Sequence, residues 1–169
     1  MNWDAIGAIA EPLGAVGVIA SLVYLATQIR QSREQMGQNT TALRASSQQA
    51  VSENLNELLV RATSDPENLR VASLGMSDLT RLEGEDLMRF RIWAGGLLGG
   101  YENAHYQYRV GLLDEDRWGL YRTQLTKILS TGNLFGLREY WKSGALSATP
   151  EFVALVEEIL REEADGGGG

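Results

Sequence analysis

The feature that most constrains this chain is Ala5–Ile29, AIGAIAEPLGAVGVIASLVYLATQI, which holds one charge, Glu11, and ends at Arg30. A bilayer span needs roughly 20 mostly apolar residues, and this segment is long enough for one helix. Its apolar residues run all round the helix instead of forming one stripe, as in a helix without a water-facing side. Trp3, Arg30 and Arg33 bracket it as interface anchors would. It holds Gly7, Gly14 and Gly17, which soluble helices avoid and membrane helices tolerate. The expectation is an N-terminal transmembrane anchor over 1–29. The competing reading is a core helix, because Leu13–Ala26 alone is only fourteen residues with no charge, short for a span. A cleavable signal peptide does not fit, since no Lys or Arg precedes the segment. Arg30, Arg33 and Arg44 follow it, which predicts an N-terminus outside and a cytoplasmic C-terminal side.

One face of this helix stands apart. Gly7, Ala10, Glu11, Gly14, Gly17, Ser21 and Gln28 fall within roughly one third of the circumference. Ile9, Val16, Ile19 and Val23 lie opposite. Small residues four apart let two helices approach closely in lipid, and an ionisable group in a span points into a bundle or a wet cavity. Both facts predict a homo-oligomer whose contact runs along Gly7, Ala10, Glu11, Gly14, Gly17 and Ser21. The plainer alternative is that glycine is common in membrane helices and that Glu11, beside Pro12, is solvated in a first turn.

Charge limits the partners. The chain carries a formal net charge of −7, unevenly spread. Residues 114–169 hold six basic against ten acidic groups. No basic face of the kind nucleic-acid binders present is visible. There is no cysteine and one histidine, so disulfides and thiolate metal sites are excluded and histidine chemistry is restricted.

Residues 30–63 read as a polar helical stalk continuous with the anchor, weakest at Gly37–Thr40. Apolar positions return from Leu43 through Val51, Leu55 and Leu58, but too few heptads are filled for a coiled coil. A helical domain over 64–164 follows. Asp65-Pro66-Glu67 predicts a cap and a helix start, and Gly75 a stop near 74. Thr80 and Glu83 have capping-box spacing ahead of a long helix ending at Gly111. Asp114 caps the next helix, which carries Trp118, Tyr121 and Leu125 and ends at Gly132. A short helix over about 134–142 and a last one opened by Thr149-Pro150-Glu151 complete an all-α class. Residues 165–169 read as a flexible tail.

Two constellations invite a chemical reading. Gly95, Gly96, Gly99 and Gly100 sit inside a predicted helix, where each costs about 1 kcal/mol against alanine. That cost points to close helix packing. A phosphate loop needs a preceding strand and a Gly-Lys-Ser/Thr ending, and neither is present. Glu102 and His105 have the Glu-x-x-His spacing of di-iron carboxylate bundles. With one histidine, only a symmetric dimer would complete such a site. The plainer alternative is a hydrogen-bonded histidine packed among Tyr101, Tyr106 and Tyr108.

The stretches SLVYLATQIRQ and YQYRVGLLDE, with TTALRAS between them and FVALVEEIL near the end, resemble an uncharacterised group of short bacterial proteins. That resemblance covers nearly the whole chain. It implies one N-terminal membrane helix and a helical cytoplasmic domain at the bacterial inner membrane, and implies no enzymatic activity. Members tend to carry Pro-Gly before the Trp-containing helix, where this chain has Thr131-Gly132. The expected function is a membrane-tethered, self-associating helical scaffold or regulatory module, with the bilayer, further copies and a cytoplasmic protein as partners. The alternatives are a small ion pathway with Glu11 in the outer leaflet and a carboxylate–histidine metal enzyme using Glu102 and His105. No cofactor, catalytic residue or nucleic-acid partner is expected.

Overall fold

The computed structural model describes the backbone of residues 3–130, 135–144 and 146–166, with side chains from residue 16 to residue 165 within those ranges. The described residues form six α-helices and no strand: α1 Trp3–Thr63, α2 Pro66–Ser77, α3 Gly84–Arg109, α4 Glu115–Ser130, α5 Phe135–Lys142 and α6 Pro150–Gly166. A 3-10 turn, Leu79–Arg81, joins α2 to α3. The all-helical class follows from the 3.6-residue apolar period and from breaks whose chemistry is visible. At the first break the Asp65 carboxylate accepts from the Glu67 amide at 2.7 Å, and Pro66 takes the first helical position. The Asp114 carboxylate accepts from the Arg117 amide at 2.8 Å at the start of α4. Gly111 closes α3 at φ +77°, a left-handed backbone that glycine adopts without strain.

The transmembrane anchor is overturned. Among the described residues no helix is long and apolar enough to cross a membrane. The reason lies in what flanks the apolar run. In the sequence the charge-free run is Pro12–Ile29, eighteen residues that open on a proline and include Ser21, Thr27 and Gln28. At 1.5 Å per residue eighteen residues measure about 27 Å, short of the roughly 30 Å of a hydrocarbon core. Arg30 and Glu34 then pair at 3.3 Å on the helix surface. The single-pass topology, the inner-membrane placement and the outside N-terminus fall with the span.

Three local expectations also change. Gly75 does not stop α2, which runs on to Ser77 with Gly75 buried inside it. Thr80 and Glu83 form no capping box. Thr80 lies in the 3-10 turn, where the Asp78 carboxylate accepts from its amide and hydroxyl, and Glu83 precedes α3 without a side-chain cap. The expected tail from residue 165 begins inside α6, which extends to Gly166. Gly132 and the Thr131-Gly132 turn lie outside the described residues.

The chain divides into two units, Met1–Leu43 and Arg44–Gly169. In the first, the helix passes over Gly37 without interruption, and the Thr40 and Thr41 hydroxyls donate to the Met36 and Gly37 carbonyls. Every described side chain in this unit is exposed. The second unit holds the core, with Val51, Phe90, Leu98, Leu125, Leu137, Phe152, Val156 and Ile159 fully buried. Its α3 is central. The end of α1 lies against it, with the Trp93 indole N–H donating to the Leu58 carbonyl at 3.2 Å. Ser47 Oγ donates to Gln107 Oε1 at 2.9 Å, and Ser52 Oγ lies 2.8 Å from Tyr121 Oη.

Candidate functional site

The Glu102–His105 pair lies on α3, facing the start of α6. Glu102 Oε1 accepts from the Thr149 amide at 2.6 Å, so this carboxylate anchors the backbone that opens α6. His105 is half-buried, its ring 5.1 Å from that of Trp118 and 6.2 Å from that of Phe152. Burial lowers its pKa from the ordinary value, and the nearby Arg109 charge lowers it further, against opposite pulls from Glu151 and Glu102. Arg109 bridges to Glu151 at 3.0 Å, joining α3 to α6. An open cleft of about 350 Å³ lies over His105, Tyr106, Arg109 and Glu151.

This arrangement has the chemistry of a helix junction. Glu102 is occupied by a backbone amide, and Arg109 and Glu151 neutralise each other. Among the described residues no three His, Asp or Glu side chains come together to hold a metal ion. Nearby Tyr101 is buried, which pushes its phenol up to about 12 and keeps it protonated at neutral pH.

The four glycines of α3 occupy different surroundings. A Cβ at Gly96 would lie 3.1 Å from Leu58 Cδ2, one at Gly100 2.7 Å from Leu55 Cδ2, and one at Gly95 3.0 Å from the Tyr140 hydroxyl. One at Gly99 would meet nothing within 4 Å. Two positions that the sequence does not mark as packing glycines are tighter. A Cβ at Gly75 would run into the Phe90 ring, and one at Gly136 into the Gly75 carbonyl oxygen, so α2 and α5 cross backbone against backbone. The available signal was a glycine inside an otherwise periodic helix, which for Gly75 also reads as a stop.

An apolar cleft of about 270 Å³ lies among α1, α2 and α3, with Leu58, Val71, Phe90 and Trp93 in its lining. Its charged lining residues are already engaged, Arg61 with Glu57 at 2.6 Å and Arg89 with Glu85 at 2.7 Å.

A further run of exposed apolar side chains lies among the described residues of the first unit. Val16, Val18, Ile19, Leu22, Val23, Leu25 and Ile29 are between 51% and 62% exposed. Among the residues expected to form an oligomer contact, the side chains of Gly7, Ala10, Glu11 and Gly14 lie outside the described residues. A Cβ at Gly17 would meet nothing within 4 Å, and Ser21 Oγ donates back to the Gly17 carbonyl at 2.8 Å. A glycine face gathers helices in lipid, where small residues outcompete apolar ones. In water the apolar side chains of the same helix supply the driving force. Comparison with protein-family models, with curated proteins and with solved structures gives no match, so the reading of function rests on these surfaces alone.

Proposed function

We propose that this chain is a self-associating helical scaffold, in which the first unit gathers copies and the second is the folded module that each copy carries. The observation that supports this is the exposed run of seven aliphatic side chains from Val16 to Ile29. Contiguous exposed apolar surface of this kind marks an interaction site. Fully burying one such side chain contributes about 1.5–3 kcal/mol, while association costs roughly 4–15 kcal/mol in lost freedom. A few buried side chains therefore cover the lower end of that cost, and seven reach its middle. The fold of the second unit fits a structural part better than a catalyst, since its most suggestive pair, Glu102 and His105, is committed to holding α6.

The test is sedimentation of the full chain beside an Ile19→Lys, Leu22→Lys variant. The wild type is expected to sediment as a concentration-dependent oligomer and the variant as a monomer with unchanged helicity. A wild-type monomer at every concentration up to about 100 μM would overturn the proposal, because exposed apolar surface on this scale associates well below that range.

A further inference from the structure

We propose that the apolar cleft among α1, α2 and α3 is a binding site for a small apolar monocarboxylate. The site is independent of self-association, since every residue that lines it belongs to the second unit. Its floor is dry. Leu58, Val71, Phe90 and Trp93 form it, and the one polar atom among their side chains, the Trp93 indole nitrogen, donates to the Leu58 carbonyl at 3.2 Å. A polar group seated there would lose its hydrogen bonds to water and gain none. The cleft measures about 270 Å³. At about 30 Å³ for a water-sized atom, that is room for roughly nine atoms.

The mouth has the opposite character. Its polar side chains are Arg61, Asn68 and Arg89, and among the described residues no acid lines the cleft. Asn68 Nδ2 donates to the Arg61 carbonyl at 3.5 Å, so the two guanidiniums supply the donors for a ligand. They are held alike. Each donates through Nε and Nη2 to a single oxygen of the glutamate one turn before it, Arg61 to Glu57 and Arg89 to Glu85. A guanidinium carries five N–H donors, and the Nη1 edge of each takes no part in these bonds. The other acids that act on Arg89 are Asp86 and Glu67, and both are bound to Arg70. A carboxylate at the mouth can therefore accept from Nη1 while each arginine keeps its glutamate. An ammonium head would meet like charge, and a second carboxylate would be forced onto the apolar floor. The occupant is an apolar body of about nine atoms ending in one carboxylate, chosen by charge complementarity at the mouth.

Trp93 lines the cleft, so tryptophan emission of the full-length chain reports occupancy. Octanoate is the probe. It should change the emission saturably, with a dissociation constant on the order of 0.1–1 mM. 1-Octanol and octylammonium should bind at least about fivefold more weakly. Arg61→Gln and Arg89→Gln remove exposed side chains, so helicity by circular dichroism should be unchanged. Each should weaken octanoate by about three- to fivefold and leave 1-octanol as it was. The Ile19→Lys, Leu22→Lys variant should bind octanoate as the wild type does, which separates this site from the exposed run on the first unit. Four results would each overturn the site. They are no saturation below about 10 mM, equal binding of octanoate and 1-octanol, arginine variants that bind octanoate like the wild type, and loss of binding in the Ile19→Lys, Leu22→Lys variant.

Discussion

Alanine at Gly136 and at Gly99 should move stability in opposite directions, although both glycines lie inside helices. Glycine costs about 1 kcal/mol against alanine in a helix interior, chiefly through the freedom of the unfolded chain. At Gly99 a Cβ would meet nothing within 4 Å, so most of that gain should appear as added stability of about 0.5–1 kcal/mol. At Gly136 the Cβ would run into the Gly75 carbonyl, a backbone atom held inside α2. A side-chain neighbour could turn aside, but a helical carbonyl moves only if α2 and α5 separate. Overpacking of this kind costs about 1–3 kcal/mol, and separation also opens the core beside Phe90 and Leu137. The net expectation for Gly136→Ala is a loss of about 1–2 kcal/mol, and at roughly 2–4 °C per kcal/mol a fall in Tm of a few degrees. Gly96→Ala should lie between the two, because its neighbour is the end of a leucine side chain. The assay is urea unfolding followed by tryptophan fluorescence, since Trp93, Trp118 and Trp141 all lie in the second unit. A Gly136→Ala protein as stable as Gly99→Ala would refute the backbone crossing of α2 and α5.

Acidification should weaken the junction of α3, α4 and α6. The folded-state pKa of His105 is lowered below its ordinary 6.5 by burial, so its contribution is complete above about 6.5 and is lost as pH falls below that value. Thermal unfolding between pH 7.5 and 5 should show this slope, and His105→Gln should flatten it. Asp65→Ala removes the side-chain cap of α2 and should lower stability by about 1 kcal/mol, measured by the same urea titration. An unchanged midpoint would mean that the amide of Glu67 finds water as good a partner.

How much of this was legible follows from which interactions are local. Asp65-Pro66 and Asp114 act within a single turn, and their caps appear in the structure as the residue types require. The apolar stripe Trp118, Tyr121 and Leu125 is buried for the same reason. Thr80-x-x-Glu83 has the right spacing, yet Asp78 takes the Thr80 amide first and diverts the chain into a 3-10 turn. Gly75 carries two meanings in sequence, stop and crossing, and only its distance from Gly136 and Phe90 chooses between them. Glu102 pairs with the amide of Thr149 across a separation that no local pattern encodes. The N-terminal segment reads as a span only when its length is counted through Glu11 and Pro12; the run without charge or proline, Leu13–Ile29, is shorter.

The crossing of α2 over α5 has a consequence for how substitutions at these helices should distribute. At Gly75 and Gly136 one residue type in twenty fits, so each position is nearly fixed by geometry. Gly99 and Gly119, also inside helices, face open space and are free to take most residues. In a saturation library selected only for folding, the helical glycines of ordinary backbone conformation should separate into a small invariant set and a larger set that drifts toward alanine. A count of glycines per helix would carry almost no information about which is which, whereas the invariant pair alone would mark the point where two helix axes meet.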